Sequence, residues 1–278
     1  MAMKNFKIRT IITVLGIPLL FGLTLFTNWF FIAFFTVGGI LILREIFSVL
    51  TIQEVSANQV IGYPFYLGTL ALIGWSLDHY LASFLTLGAL LIMTWELFRK
   101  KEHVFQNFSA TLFSSLFVGL FVGYLIRLHS LETGVATVWN AGFGPWAVIS
   151  IFLGVWICDM LAYLLGSAFG KHKIFPRVSP NKSWEGSISG LVGAILTMLL
   201  FMWFNLLPGL EIMDAVILGF ITGGLGQVGD FAESLVKRDL AIKDSSNLLP
   251  GHGGAWDRMD SLLFAIPLGY LYIQYFVV

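Results

Sequence analysis

Nine long, charge-poor apolar runs recur along this chain of 278 residues, and they constrain its fold more than any other feature. They cover 8–27, 29–50, 60–77, 80–98, 108–126, 145–165, 187–207, 215–231 and 261–276. Runs of roughly 17 to 25 residues are the length at which a helix crosses a ~30 Å hydrocarbon core. The runs are continuous rather than alternating, so the spans read as helices and not as strands of a barrel. Charged residues are 12% of the chain, about half the ~25% of a soluble domain, which excludes a water-soluble globule. The 26 Phe and 9 Trp exclude disorder. A formal net charge of zero argues against nucleic acid as a partner. The single cysteine, Cys158, permits no internal disulfide. The expected fold class is therefore all-α: a polytopic membrane protein of about nine transmembrane helices.

Sidedness follows from the basic residues, which concentrate in cytosolic loops. With the N-terminus in the cytosol, fifteen of the sixteen Lys and Arg fall on that side, Arg127 alone on the other, and the C-terminus lies outside. The first run follows Lys4, Lys7 and Arg9 without a small-residue cleavage site, and reads as a retained anchor. Arg44 and Glu45, inside the second run, mark where that span leaves the lipid. The chain divides into 1–144, five spans with short loops forming a lipid-facing scaffold, and 145–278, four spans with charged cytosolic loops where chemistry is to be sought.

Four stretches carry that expectation. Asp159 sits within an apolar run, where a carboxylate costs roughly 2.5 to 3.5 kcal/mol and is either functional or held by another helix. The loop holding Ser179, Asn181, Lys182, Ser183 and Glu185 leads into the seventh span, where helix N–H groups and the dipole favour an anion; a capped loop entering the membrane fits the same pattern. The eighth span carries Gly219, Gly223, Gly224, Gly226 and Gly229, as close helix packing or a broken helix requires. It ends in Asp230, Glu233, Ser234, Lys237 and Arg238, and helical spacing puts the first three and Lys237 on one face. Last comes the stretch from Lys243 to Asp260. Gly251, Gly253 and Gly254 surround His252 like a backbone that approaches a ligand closely, and Asp257 and Asp260 stand at i, i+3 beside Arg258. A lone loop His is ordinarily just solvated; the charged, glycine-rich setting favours function. The predicted topology puts all of these groups at one membrane face. Carboxylates suit a hard divalent cation and basic groups suit phosphate. Zinc spacing and a P-loop are both absent from the sequence.

The spacing Ser234-x-x-Lys237-Arg238-x4-Lys243-Asp244-x5-Pro250-x-His252-Gly253-Gly254-x-x-Asp257-Arg258-x-Asp260 resembles the signature of the phosphatidate cytidylyltransferases, the CDP-diacylglycerol synthases. Asp159-x-x-Ala162-Tyr163-x-x-Gly166-x-x-x-Gly170-Lys171 and Ser179-Pro180-Asn181-Lys182-Ser183-x-Glu185-Gly186 are similar to two further blocks of that family. Ala255 departs from it, since members more often carry a larger aliphatic residue there. The resemblance covers the C-terminal half. It implies condensation of CTP with phosphatidic acid in the bilayer to give CDP-diacylglycerol and pyrophosphate, in the inner, cytoplasmic membrane with the active site facing the cytosol. It further implies Mg²⁺ held by Asp230 and Asp257, and leaves room for a second cation and a homodimer. Lys182, Lys237, Arg238, Lys243 and Arg258 become candidates for phosphate contacts. His252 joins the catalytic group, while Asp159, Ser179, Asn181, Ser183, Glu185, Ser234, Gly253 and Gly254 become candidates for substrate binding.

Other readings stay open on the residues alone. A cation-coupled transporter also uses intramembrane acids and glycine-interrupted spans, though its site lies nearer mid-bilayer. A prenol kinase or an archaeal-type CDP-lipid synthase would share much of the C-terminal layout. A CDP-alcohol phosphotransferase is disfavoured, because its Asp-x-x-Asp-Gly-x-x-Ala-Arg type motif is missing.

Overall fold

The computed structural model describes residues 15–26, 28–134, 137, 142–246, 248 and 253–278. Among these residues the structure is helical, with one isolated antiparallel bridge between Lys173 and Ser183. The helices are α1 (Leu15–Phe26), α2 (Asn28–Leu50), α3 (Gln59–Gly74), α4 (Leu81–Arg99), α5 (Val104–His129), α6 (Phe143–Phe169), α7 (Trp184–Trp203), α8 (Ile212–Phe220), α9 (Gly226–Asp239) and α10 (Trp256–Tyr272). A π turn, Ile221–Leu225, joins α8 to α9, and another, Ile273–Val277, extends α10.

Among the described residues seven helical stretches are long and apolar enough to cross a membrane, α8 to α9 counting as one stretch (Ile212–Asp239), while α1 and α3 are shorter apolar helices. These nine follow the nine predicted spans in order, and the chain is a polytopic helical membrane protein. The largest differences from the predicted bounds lie where charge begins. Hydropathy ends the eighth run at 231 and starts the ninth at 261, whereas α9 continues to Asp239 and α10 begins at Trp256. Charged residues end an apolar run without ending a helix, since Glu, Lys and Arg are good helix formers. The first predicted span, 8–27, lies partly outside the described residues.

The chain forms two compact units: Met1–Ile17, Asn28–Arg127 and Asp239–Arg258 make one, and Pro18–Thr27, Leu128–Arg238 and Met259–Val278 the other. In the first unit, glycines let α2, α3 and α5 approach closely. A Cβ on Gly119 would lie 2.7 Å from Thr69 and one on Gly123 would lie 2.8 Å from Ile73. Phe31, Phe47, Tyr66 and Phe121 fill the core, and the Tyr66 hydroxyl donates to the Thr36 carbonyl at 2.9 Å, so its polar end is satisfied inside. The polar end of this unit is tied by Arg99, which donates to Glu96 at 2.6 Å and to the Ser56 carbonyl at 2.8 Å, while Asn107 accepts from the Ser56 amide at 2.7 Å.

In the second unit small residues again set the packing. A Cβ on Gly186 would lie 2.6 Å from the Ala162 carbonyl, and one on Gly190 would lie 2.6 Å from the Cys158 carbonyl, so α7 runs backbone to backbone along α6. Gly223 meets Leu191 of α7, and Gly229 meets the Asp260 carbonyl of α10. Close packing of the glycine-rich span and an interruption in it are therefore both present. At the π turn the Gly226 amide donates to the Ile221 carbonyl, five residues back. Gln227 braces that turn, donating through Nε2 to the Gly223 carbonyl at 2.7 Å and the Ser187 carbonyl at 3.1 Å.

Candidate functional site

Within the second unit, the loop before α7 meets the face of α9. Lys182 pairs with Asp230 and lies 4.4 Å above the Phe231 ring, so the ammonium has both a carboxylate and an aromatic face. Ser234, one turn along α9, donates to the other Asp230 oxygen at 3.3 Å. Asp260 and Asp159 complete the electrostatic surroundings, Asp260 being within reach of the charges of Asp230, Asp159 and Lys182. Asp159 is exposed on α6. Three acids and one lysine thus share this end of the unit. Asp260 is the member that sequence reasoning left out of the site; its i, i+3 spacing from Asp257 was the available signal.

The rest of the loop shapes this corner. Ser183 is the N-cap of α7, accepting from the Gly186 amide at 3.3 Å. Glu185 accepts from the Lys171 and His172 amides at 3.2 Å and from His172 Nδ1 at 2.6 Å, binding both ends of the loop together. Asn181 is exposed, its carbonyl taking a bond from Lys173 at 3.1 Å, and the Ser179 amide donates to the Phe175 carbonyl at 2.9 Å. So the capped-loop reading holds for Ser183, while Lys182 reaches out to the acid of α9.

Further along α9, Lys237 is buried and pairs with Glu233 at 2.6 Å, the i, i+4 order that favours a helix. Arg238 is exposed and donates to the Val178 carbonyl at 3.2 Å, pinning the same loop to α9.

Asp257 belongs to the first unit, at the second position of α10. One of its oxygens accepts from the Gly254 amide at 2.7 Å and the Ser245 amide at 3.0 Å and lies 3.1 Å from the Ser245 hydroxyl, whose single proton it shares with Glu45; the other takes a longer bond, 3.3 Å, from the Ser245 amide. Gly253 has φ +81°, the left-handed region where a side chain is strained, and its Cα faces the Asp257 carboxylate. Gly254 lies against Glu45 and Ser245, a Cβ there coming 2.7 Å from the Glu45 carboxyl carbon. The close approach expected at these glycines is to acids of the protein itself. Lys243 and Arg258 are exposed, and His252 lies outside the described residues.

Glu45, read in the sequence as part of the point where the second span leaves the lipid, also has a role in packing. α2 does not end at it, and its side chain is buried. It accepts from the Ser245 hydroxyl at 2.9 Å, the Ser246 hydroxyl at 2.6 Å and the amides of Ala255 and Trp256, each at 2.9 Å. A cavity of about 270 Å³ opens beside it, lined in part by Arg44, Ser48 and Ser246.

Asp230, with two neighbouring acids and a hydroxyl, offers hard oxygen donors of the kind Mg²⁺ takes. Among the described residues no group of three or more His, Cys, Asp or Glu is placed to hold a metal ion. A hard cation bound at Asp230 would have to take most of its shell from water and substrate phosphates.

Fold and site together define a class: helical integral-membrane proteins that gather acids and basic residues at the ends of their last spans. The model of the cytidylyltransferase family matches residues 7–276, and the chain belongs to that family. It is similar to proteins named phosphatidate cytidylyltransferase from three bacteria. With that of Haemophilus influenzae it is 43% identical over 137 residues, covering 48% of this chain and 47% of the relative. With that of Synechocystis sp. it is 33% identical over 283 residues, 95% of each chain. With that of Staphylococcus saprophyticus it is 30% identical over 271 residues, 94% of this chain and 96% of the relative.

Proposed function

We propose that the chain condenses CTP with phosphatidic acid in the bilayer, forming CDP-diacylglycerol and releasing pyrophosphate in phospholipid biosynthesis. The observation that carries this is the meeting of Lys182 with Asp230, Ser234 and Asp260, which joins the second sequence block to the third in one polar corner of a membrane protein. Relatives named for this activity, aligned over nearly the full chain, support the same reading.

The phosphate oxygen of phosphatidate attacks the α-phosphorus of CTP, and the bond between that phosphorus and the bridging oxygen of pyrophosphate breaks. A phosphate monoester is anionic near neutral pH, so positioning and charge neutralisation matter more than a strong base. By resemblance to the family, Asp230 in one unit and Asp257 in the other are each proposed as Mg²⁺ ligands; the metal would offset the negative charge of the triphosphate and the leaving pyrophosphate. Lys182 holds Asp230 from the loop side and presents positive charge at the same corner. Arg238, Lys243 and Arg258 are exposed and reach incoming phosphates from water. The basic loops and the active site face the cytosol, in the inner membrane.

The test is the protein in liposomes with phosphatidic acid and each nucleoside triphosphate in turn. Pyrophosphate release that requires CTP, phosphatidate and Mg²⁺ is the expected result. Cation flux without pyrophosphate would replace the reading with a transporter.

A further inference from the structure

We propose that Glu45 is a positioning residue for the reaction: it anchors the segment that carries Asp257 and so sets the metal-binding acid. This rests on the cytidylyltransferase reading. Four groups aim at one buried carboxylate, and all four are donors: the hydroxyls of Ser245 and Ser246 and the backbone amides of Ala255 and Trp256. The two amides belong to the N-terminus of α10, whose first N–H groups have no partner within the helix. Glu45 satisfies them from a different helix, where a negative charge also complements the dipole. Asp257 is the very next residue, and its own carboxylate binds Ser245 and Gly254. Ser245 therefore bridges the two acids, its hydroxyl lying 2.9 Å from Glu45 and 3.1 Å from Asp257.

The chemistry dictates which substitutions matter. Oε1 faces the Ser246 hydroxyl and the Ala255 amide, and Oε2 the Ser245 hydroxyl and the Trp256 amide. A glutamine in place of Glu45 turns an NH₂ toward one backbone N–H, which cannot accept it, so Glu45→Gln breaks the anchor at nearly constant volume. Glu45→Asp keeps acceptors at both ends but is one methylene short, and recovers part of the function. Gly254 has no room for a side chain because this carboxylate occupies the space.

Two readouts on the full-length protein in liposomes separate positioning from general stability. The first is the half-saturating Mg²⁺ concentration for pyrophosphate release with CTP and phosphatidate saturating. Losing bonds to a charged group should raise it about tenfold or more in Glu45→Gln, with the rate recovering at high Mg²⁺ and Glu45→Asp falling between. The second, free of turnover, is amide hydrogen exchange. Peptides covering 253–258 should exchange faster in Glu45→Gln, while peptides from α7 stay as in the wild type. Should Glu45→Gln fail to fold, Ser246→Ala removes one donor and should give a smaller shift of the same kind in both readouts. Unchanged exchange at 253–258, or a lower rate with an unchanged Mg²⁺ requirement, overturns the proposal. A wild type that releases no pyrophosphate overturns the cytidylyltransferase reading instead, and the exchange comparison still judges the anchor.

Discussion

Lys237 offers the most direct test of how charge is managed on α9. Its side chain is 11% exposed and that of Glu233 is 3% exposed, so the 2.6 Å ion pair is poorly screened by water. Deleting one partner of a buried pair costs about 3 to 5 kcal/mol, because the remaining charge has lost its counter-ion, whereas neutralising both costs far less. For a chain of this size each kcal/mol moves the melting midpoint by about 2 to 4 °C, so Lys237→Met should lower it by roughly 6 to 20 °C. The double variant Glu233→Gln/Lys237→Met should return to within about 1 kcal/mol of the wild type. The assay is thermal unfolding in detergent, run as a double-mutant cycle beside pyrophosphate release. If Lys237 also contacts substrate phosphate, the double variant is stable and still slow. A Lys237→Met midpoint within about 2 °C of the wild type would refute the buried-pair argument.

Asp230→Asn and Asp257→Asn should each abolish turnover without unfolding the protein, read by pyrophosphate release and gel filtration; Asn at 257 keeps an oxygen for the Gly254 and Ser245 donors. Lys182→Ala should cost on the order of 1.5 to 3 kcal/mol in kcat/KM for CTP, one to two decades, since it removes a charge-assisted contact at Asp230. Gly190→Val should lower the melting midpoint, as its side chain would strike the Cys158 carbonyl, and overpacking of this kind costs roughly 1 to 3 kcal/mol. Reporter fusions at Lys173 and Val278 should report the cytosol for the first and the outside for the second, following the uneven distribution of basic residues.

Much of the fold was legible because the bilayer turns hydropathy into geometry: each apolar run corresponds to an apolar helix in order. The site was legible in its chemistry and less so in its contacts. The i, i+4 spacing of Glu233 and Lys237 is visible in the sequence, yet which way that face points depends on neighbouring helices. Glu45 was beyond reach, since its hydrogen-bond partners lie 200 to 211 residues away and a charge near the end of an apolar run looks like an exit from lipid. Gly253 and Gly254 read in the sequence as a backbone that approaches a ligand closely, and what lies against them within the chain is Ser245 and the carboxylates of Glu45 and Asp257.

The π turn at Ile221–Leu225 has a consequence for phase. In an unbroken α-helix, Gly219, Gly223, Gly226 and Asp230 would fall on one stripe, at intervals of four, three and four. A π turn takes up an additional residue, and each residue of an α-helix is about 100° of rotation. The segment therefore changes partners midway: Gly219 and, within the turn, Gly223 lean on Ile195 and Leu191 of α7, while after it Gly226 lies against Val155 of α6 and Ser261 of α10, and Gly229 against Asp260. One helix thereby serves different neighbours in succession and still delivers Asp230 to Lys182. The insertion works as a clock setting: the turn absorbs one residue, and α9 leaves it with the phase of an α-helix one residue shorter.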